Sequence, residues 1–563
     1  MHDLLIRGGT LVDGTGAAPR TADVAVAGGR IVAVGRVTGP ARRTVDADGL
    51  LVTPGFVDIH THYDGQATWD SFLSPSSLHG VTTAVFGNCG VGFAPVRPDA
   101  TDYLIKLMEG VEDIPGTVLA EGVSFDWESF PDYLDLLASR RFAMDIGAQM
   151  PHGVLRFYVM GDRGADHAER PTEAEAARMG DLLVEALAAG AFGLTTSRTR
   201  KHKASDGRLT PGLSAAEPEL HALALAMKRA GKGVFEVNSD FGPGEFEILR
   251  GFAEVSGRPL SCLIVQVDKQ PELWRETMAQ IHAARRAGLE VTGQVGCRPI
   301  GMLMGLQTSI NPFVGHPAWA RALRGLHPTA RWRALAADAE LRRTLVEDVP
   351  QDAATAEMAR YLERATLIRE PVDLEPDPAE GIAAQARRAG RSPWALALEL
   401  MMRDEGRALL LYPFENYSAG NSEAIADMLA DEATVMGVAD GGAHVGLICD
   451  ASAPTYLLSY WGRDRTRGRR FPLEQLVRKH TRDTARTYGI ADRGVVAPGM
   501  KADLNVIDFA RLRLRKPEVV YDLPAGGSRL LQKAEGYRHT FVSGVEVLRD
   551  DAHTGELPGR LMR

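Results

Sequence analysis

Hydrophobic positions in the middle of the chain fall into short continuous runs, separated by longer stretches in which apolar residues recur with helical spacing. Continuous apolar runs are typical of strands that are buried on both faces of a parallel sheet. Alternation of such strands with helices predicts βα units, and eight units predict an α/β fold, a (β/α)8 TIM barrel. The eight predicted strands cover residues 52–59, 82–86, 144–148, 191–195, 233–237, 262–267, 289–295 and 433–438.

The two ends of the chain have a different pattern, in which short apolar or alternating runs are joined by tight turns such as Gly28-Gly29. Runs of this kind predict β-hairpins. We therefore predict a small β-sandwich formed from both chain termini, with residues 1–51 and 491–563 flanking a barrel over residues 52–490. Its strand candidates lie at residues 4–12, 23–27, 30–35, 502–507, 540–542 and 545–548.

Two connections between the predicted barrel strands are too long to be simple loops. One covers residues 88–143 and the other covers 298–432, and both follow the carboxyl end of a strand. Helical stretches such as 394–404 predict that residues 299–432 form a helical insertion between strands 7 and 8. The sequence leaves open whether this insertion covers the substrate or serves packing and oligomerisation.

Composition places the chain among ordinary globular proteins, with 45% hydrophobic and 24% charged residues in a length of 563. The net charge of −9 is spread without long runs, so we expect no nucleic-acid partner. No apolar run approaches the roughly 20 residues of a membrane span, and the N-terminus lacks the features of a signal peptide. Four cysteines are too few for a disulfide framework, which favours a cytoplasmic location. Formation of a homo-oligomer is left open.

Candidate chemistry begins at the end of the first predicted strand, which delivers His60 and His62. Side chains alternate between the faces of a strand, so both imidazoles should point the same way and bind one divalent metal ion. Asp440 follows the eighth predicted strand. Its carboxylate is predicted to contact the metal and to act as the catalytic base and acid, carrying a proton from the activated water to the leaving nitrogen.

Cys89 lies in a glycine-rich turn after the second predicted strand and is a candidate fourth metal ligand, because a thiolate suits Zn²⁺. Other polar residues follow the barrel strands at the same rim. A histidine there could contact the substrate, and a cation could bind a substrate carboxylate. The substrate-binding candidates are His152, Arg198, Lys269, Arg298 and His444.

Four motifs together resemble the D-aminoacylase branch of the amidohydrolase superfamily, the N-acyl-D-amino-acid deacylases. They are His60-x-His62-Tyr63-Asp64-Gly65-Gln66, Trp69-Asp70, His79-Gly80-Val81-Thr82-Thr83 and Phe86-Gly87-Asn88-Cys89-Gly90. The resemblance is strongest over residues 52–95 and extends through the barrel and the terminal sandwich. It implies a metal-dependent hydrolase that cleaves a linear amide bond of an N-acyl amino acid or a related carboxylated amide. It also implies that His60, His62, Cys89 and Asp440 surround the metal.

The sequence departs from this family at two metal ligands. The family carries one histidine at the end of the fifth strand and another at the end of the sixth. Here those strands run into Asn238 and Gln266, and no histidine occurs between His221 and His282. The fourth strand offers no lysine that could bridge two metal ions. We therefore expect one ion, Zn²⁺ or another divalent metal, rather than two.

Two other functions remain compatible with the sequence. The first is hydrolysis of a cyclic amide at the same site, because one superfamily fold serves many bonds. The second is a barrel that has lost catalysis and acts as a scaffold. The missing histidines favour this alternative, and the retained His60, His62 and Asp440 argue against it. The preference for D- over L-substrates is also left open, because the altered strand ends lie at the predicted site.

Overall fold

The computed structural model describes residues 1–563, and a barrel of eight parallel strands lies at its centre. The third strand is interrupted, so that Asp145–Ala148 pairs with the second strand and Met150–Pro151 pairs with the fourth. A bridge between Thr61 and Gly441 joins the first strand's end to the segment after the eighth. The predicted barrel is confirmed. Its strands are Phe56–Asp58, Val81–Phe86, Asp145–Ala148 with Met150–Pro151, Gly193–Arg198, Val234–Ser239, Leu260–Ile264, Val291–Val295 and Thr434–Met436.

Helices connect these strands, and their apolar faces contribute to one large hydrophobic core. The helices of the βα units and those after the eighth strand are His152–Met160, Asp162–Ala165, Glu173–Ala189, Glu217–Ala230, Glu245–Ser256, Leu273–Arg286, Glu423–Ala430, Ala453–Tyr456, Leu457–Asp464, Leu473–Lys479 and Arg482–Thr487. The long connection after the second strand contains Thr101–Glu112, Gly116–Gly122 and Phe130–Ser139. No helix has both the length and the apolar character that crossing a membrane requires.

The first barrel strand differs from its prediction, because residues 52–59 do not form one continuous strand. Leu51–Pro54 belongs to the terminal sheet, and only Phe56–Asp58 belongs to the barrel. The break falls at Gly55, whose N–H donates to the carbonyl of Asp503 at 2.9 Å. A side chain at Gly55 would collide with Thr82. The change of sheet falls at the Pro54-Gly55 dipeptide, which is typical of a turn and which the prediction of one strand over residues 52–59 did not take as a break.

Both termini contribute to one β domain, as predicted, and its main sheet has nine strands, whereas the prediction was a small β-sandwich. Leu51–Pro54 joins the two halves of this sheet, because it pairs in parallel with His2–Leu11 and antiparallel with Leu504–Ile507. The strands are His2–Leu11, Arg20–Ala27, Arg30–Gly35, Ala41–Asp46, Leu51–Pro54, Leu504–Ile507, Tyr537–Val542, Val545–Arg549 and Ala552–His553. Two short pairs accompany them, Arg513–Leu514 with Ala534–Glu535 and Glu518–Val520 with Arg529–Leu531.

The insertion between the seventh and eighth barrel strands is mainly helical and has its own hydrophobic core, which contains Trp319 and Leu362. It also includes a three-stranded antiparallel sheet that helical periodicity did not indicate. The strands of this sheet are Ile300–Met304, Thr366–Leu367 and Leu410–Glu415. The helices are Pro317–Ala322, Pro328–Ala337, Ala339–Glu347, Ala353–Arg364, Ile382–Arg388, Pro393–Met401 and Arg403–Gly406.

A buried carboxylate links the two halves of the terminal sheet. Glu546, in the C-terminal half, accepts a 2.6 Å hydrogen bond from Arg43 of the N-terminal half and is also bonded to His539 and Arg549. Its side chain is only 4% exposed. Burial raises the pKa of this carboxyl, but the three hydrogen bonds outweigh that effect and lower the pKa to about 2. The ionised form is therefore stabilised in the folded protein.

Replacement Glu546→Gln should lower the free energy of unfolding at pH 7 by about 1–3 kcal/mol, because it removes charge-assisted hydrogen bonds. A depressed pKa contributes stability that is complete above the ordinary value of 4.5 and is lost as the pH falls towards 2. The difference between wild type and variant should thus shrink between pH 7 and pH 3.5, as measured by urea unfolding. Glu518→Gln is the control, since Glu518 forms an exposed pair with Lys533. Equal effects of both substitutions at pH 7 would contradict this account.

Candidate metal centre

Three potential metal ligands converge at the carboxyl ends of the barrel strands. One ligand atom from each of His60, His62 and Cys89 lies within 4.8 Å of the others, and all three residues are buried. The Cys89 Sγ atom is 3.5 Å from Nε2 of His60. The structure thus brings together three side chains that the sequence predicts as ligands, although they are 29 positions apart in the chain.

Backbone hydrogen bonds hold the two histidines in place beyond the end of their strand. The strand ends at Asp58, whose carboxylate accepts the N–H of His60 at 3.2 Å. Thr61 donates through its hydroxyl to Val85 in the second barrel strand, and the N–H of His62 donates to the carbonyl of Gly441. The alternation expected along a continuous strand therefore does not orient these imidazoles. Contacts to the neighbouring strand ends do so.

Asp440 lies against both histidines, as predicted from its place after the eighth strand. Its Oδ1 atom is 3.4 Å from Nε2 of His60 and 3.7 Å from Nε2 of His62. Burial raises the pKa of Asp440, but the neighbouring imidazoles of His62 and His60 outweigh burial and hold it below its ordinary value. The carboxylate form is therefore favoured in the folded protein.

The backbone at this centre adopts conformations that non-glycine residues rarely take. Cys89, Val438, Asp440 and His444 all have positive φ, between 50° and 55°. Such conformations cost on the order of 1–3 kcal/mol each and cluster at functional sites. At Asp440 the conformation is supported by the bond that its N–H donates to the carbonyl of His60.

A buried amide sets the orientation of His60. Its Nδ1 atom is 2.9 Å from Oε1 of Gln294, and the amide nitrogen of Gln294 in turn donates to Ser261. Burial lowers the pKa of His60 to about 4, so the imidazole is neutral at pH 7. The Nδ1–H group then donates to Gln294, and the lone pair of Nε2 faces Cys89 and Asp440. Support of the second ring nitrogen is typical of metal-binding histidines.

Glu112 provides the corresponding support for His62, and sequence reasoning missed it. It ends the helix Thr101–Glu112, is buried, and places Oε1 3.2 Å from Nδ1 of His62. Burial lowers the pKa of His62, but Glu112 and Asp440 outweigh burial and raise it to about 9. Glu112 also lies 3.8 Å from His444 through its other oxygen. It comes from the long connection after the second strand, where no motif marks it.

A second missed residue, His202, lies on the other side of Cys89. It follows the fourth barrel strand, and its Nε2 atom is 3.4 Å from Nδ2 of Asn238, which is itself 3.5 Å from Sγ of Cys89. Burial, together with the charges of His444 and His62, lowers the pKa of His202 to about 3. Its position just beyond a barrel strand is a signal by which the sequence could have revealed it.

Glu236 lies next to the same cysteine and is fully buried. Its carboxylate accepts the N–H of Cys89 at 3.1 Å, and its Oε1 atom is 3.7 Å from Nδ1 of His60. Burial raises the pKa of Glu236 to about 8. Burial and the Glu236 charge also raise the pKa of the Cys89 thiol. A divalent ion would reverse the effect on the thiol, because a coordinating thiol is deprotonated.

The predicted substrate-binding residues lie in different surroundings. His444 contacts Glu112, and is thereby linked to the centre. His152 is buried, with one ring nitrogen 3.0 Å from Thr196 and the other 3.0 Å from Glu219. Both of its ring nitrogens are therefore engaged away from the metal ligands.

The three predicted cations also differ in their surroundings. Arg198 is paired with Glu245, and Arg298 is paired with the buried Asp450 at 3.2 Å. Lys269 is exposed. The two arginines thus have carboxylate partners within the chain, and the structure does not gather the three cations at the metal ligands.

The chemistry of these side chains fits a divalent cation. Imidazole nitrogen, thiol sulfur and carboxylate oxygen are the usual ligands of zinc. The acidic side chains of Asp440, Glu112 and Glu236, of which the last two are buried, pair with histidines alone. Buried negative charge without a compensating cation is costly. Oε1 of Glu112 and of Glu236 also lacks a hydrogen-bond partner. The centre therefore has the donors and the charge that a divalent ion requires.

The sequence profile of the amidohydrolase family matches residues 43–548, which is most of the chain. The chain belongs to the amidohydrolase family. Among curated relatives, D-aminoacylase of Alcaligenes xylosoxydans xylosoxydans is 40% identical over 195 residues, which are 34% of this chain and 37% of that protein. N-acyl-D-glutamate deacylase of the same organism is 31% identical over 301 residues, which are 51% of this chain and 55% of that protein.

The matched segments thus span about a third to about half of these relatives' length. A solved structure of D-aminoacylase, described in terms of a binuclear metal centre, aligns with this structure over 100% of both chains. The TM-score is 0.66 and the sequence identity is 25%. The predicted family and the predicted barrel with a β domain are confirmed.

Replacement Glu112→Gln should lower zinc affinity by about 10–100-fold, because loss of a carboxylate behind a metal-binding histidine has an effect of that size. Affinity is measured by competition with a chromogenic chelator, and thermal unfolding of the metal-free protein checks the fold. Glu121→Gln is the matched control, since Glu121 is exposed in the next helix. Unchanged affinity in Glu112→Gln would show that Glu112 does not support His62 as a ligand.

Proposed function

We propose that this protein is a metal-dependent hydrolase that cleaves the linear amide bond of an N-acyl amino acid or a related carboxylated amide. The observation that carries the proposal is the position of the Asp440 carboxylate, 3.4 Å and 3.7 Å from Nε2 of His60 and His62. A carboxylate base next to paired imidazoles at the carboxyl face of a barrel is the arrangement that metal-assisted hydrolysis needs. The curated relatives named D-aminoacylase and N-acyl-D-glutamate deacylase support the substrate class.

His60, His62 and Asp440 would hold one divalent ion, Zn²⁺ in the first instance, with Cys89 as a fourth ligand. When bound, such an ion polarises the amide carbonyl and acidifies the attacking water. The neutral imidazole of His60 offers Nε2, and Gln294 keeps the ring in that orientation. The carboxylate of Glu112 lies 3.2 Å from Nδ1 of His62 as its ion-pair partner. These contacts fix the ligands before the substrate arrives.

Asp440 has two tasks in the proposed reaction. As a carboxylate it accepts a proton from the attacking water, and as an acid it returns that proton to the leaving nitrogen, so one group serves both steps. Its depressed pKa supplies the base form at neutral pH. The bond from its N–H to the carbonyl of His60 keeps the carboxylate close to both imidazoles.

Replacement Asp440→Asn should reduce turnover of the preferred amide by at least about 100-fold, because the amide side chain cannot relay a proton. Metal content, measured by elemental analysis, should be largely retained. Asp464→Asn is a control, since Asp464 is exposed and pairs with its neighbour Arg463. Retention of activity by Asp440→Asn would refute the assigned role.

The substrate class is tested with a panel of N-acetylated D- and L-amino acids and of cyclic amides such as hydantoins and dihydropyrimidines. The proposal expects turnover of linear amides that keep a free carboxylate. Turnover of cyclic amides alone would show that the proposed substrate class is wrong and would leave the proposed metal centre unchanged. Failure to hydrolyse any amide with metal bound would favour a scaffold.

A further inference from the structure

The loop after the fourth barrel strand carries a histidine into the metal centre. The strand ends at Arg198, and His202 follows four positions later. Carboxylate oxygens of Asp240, which follows the fifth strand, bind the Thr199 hydroxyl at 2.6 Å and the Arg200 N–H at 2.9 Å. The loop is thus tied to the neighbouring strand end, which places His202 independently of any bound ion.

His202 is held in the same way as the two predicted histidine ligands. Each of His60 and His62 has one ring nitrogen supported by a buried acceptor and the other directed at Asp440. In His202, Nδ1 is 3.0 Å from the Ser197 hydroxyl, and Nε2 points to the opposite side of the ring, towards Asn238. In a metal-binding imidazole, one ring nitrogen is typically held by a neighbouring group and the other ring nitrogen binds the ion.

Only one small side chain lies between this imidazole and the thiol. The Nδ2 atom of Asn238 is 3.4 Å from Nε2 of His202 and 3.5 Å from Sγ of Cys89. Binding of both atoms to one ion therefore requires the Asn238 amide to rotate out of the space between them. Thiolate and imidazole together are ligands that select zinc among biological cations.

The residues that end the neighbouring strands do not offer a better ligand. Gln266, after the sixth strand, uses its amide oxygen to accept the N–H of Ser418 and its nitrogen to donate to the carbonyl of Pro271. Glu236 binds the N–H of Cys89 from within the barrel. On the Cys89 side of the centre, Nε2 of His202 is therefore the further imidazole nitrogen that only the Asn238 amide separates from the thiol.

We propose that His202 is a metal ligand of this centre and binds the ion together with Cys89, while the Asn238 amide turns aside and hydrogen-bonds the thiolate. The inference rests on the metal centre of the proposed function. It adds a ligand from the loop after the fourth strand, where the motifs that identify the family contain none.

The test measures metal binding rather than turnover. Zinc affinity is determined by chelator competition for wild type, His202→Ala, Ser197→Ala and a control, His221→Ala, in which an exposed helical histidine is removed. His202→Ala should weaken zinc binding by at least about 10–100-fold, because it removes a ligand and loss of a residue that only supports a ligand already has an effect of that size. Ser197→Ala should weaken zinc binding by roughly 10-fold. His221→Ala should bind as wild type does.

Cobalt substitution provides a second readout on the same proteins. The thiolate-to-cobalt absorption band reports Cys89, and the visible bands of Co²⁺ report the number and type of ligands. His202→Ala should keep the first band and change the visible bands. Equal zinc affinity and an identical cobalt spectrum in His202→Ala would overturn the inference. Wild-type protein that shows the expected binding but hydrolyses no amide would refute the proposed function and leave the ligand assignment intact.

Discussion

The site depends on three acidic side chains packed among histidines at one end of a barrel, and two of them, Glu112 and Glu236, are buried. Asp440, Glu112 and Glu236 lie within reach of His60 and His62, and no lysine or arginine pairs with any of the three. Burial of negative charge costs several kcal/mol unless a cation compensates it, and burial raises the pKa of Glu236 to about 8. The proposed divalent ion, held by the imidazoles, the Asp440 carboxylate and the Cys89 thiol, would supply positive charge here without a further side chain.

The fold places these groups by joining two sheets at one point of the chain. Leu51–Pro54 holds the two termini together, and the chain then turns at Gly55 into the barrel strand Phe56–Asp58. The His-x-His segment follows immediately and is held by Val85 and Gly441. A change in the packing of the terminal sheet would thus reach the metal ligands within a few residues.

Much of this arrangement could be predicted from the sequence, because buried parallel strands leave continuous apolar runs and ligands follow strand ends. The change of sheet at Gly55 was not predicted, because Pro54-Gly55 indicates a turn but not that the strands on its two sides belong to different sheets. Glu112 and His202 were missed for a different reason. Both lie in long connections whose paths depend on tertiary contacts, such as the bonds that Asp240 makes to the loop carrying His202.

The most direct test of the central claim is the metal content per chain of protein purified without added metal, measured by elemental analysis. The same measurement is made on a His60→Ala/His62→Ala variant whose thermal unfolding shows that it is folded. The account predicts about one equivalent of divalent metal in the wild type and none in the variant. Wild-type protein that binds no metal even after reconstitution, or a variant that retains the full equivalent, would contradict it.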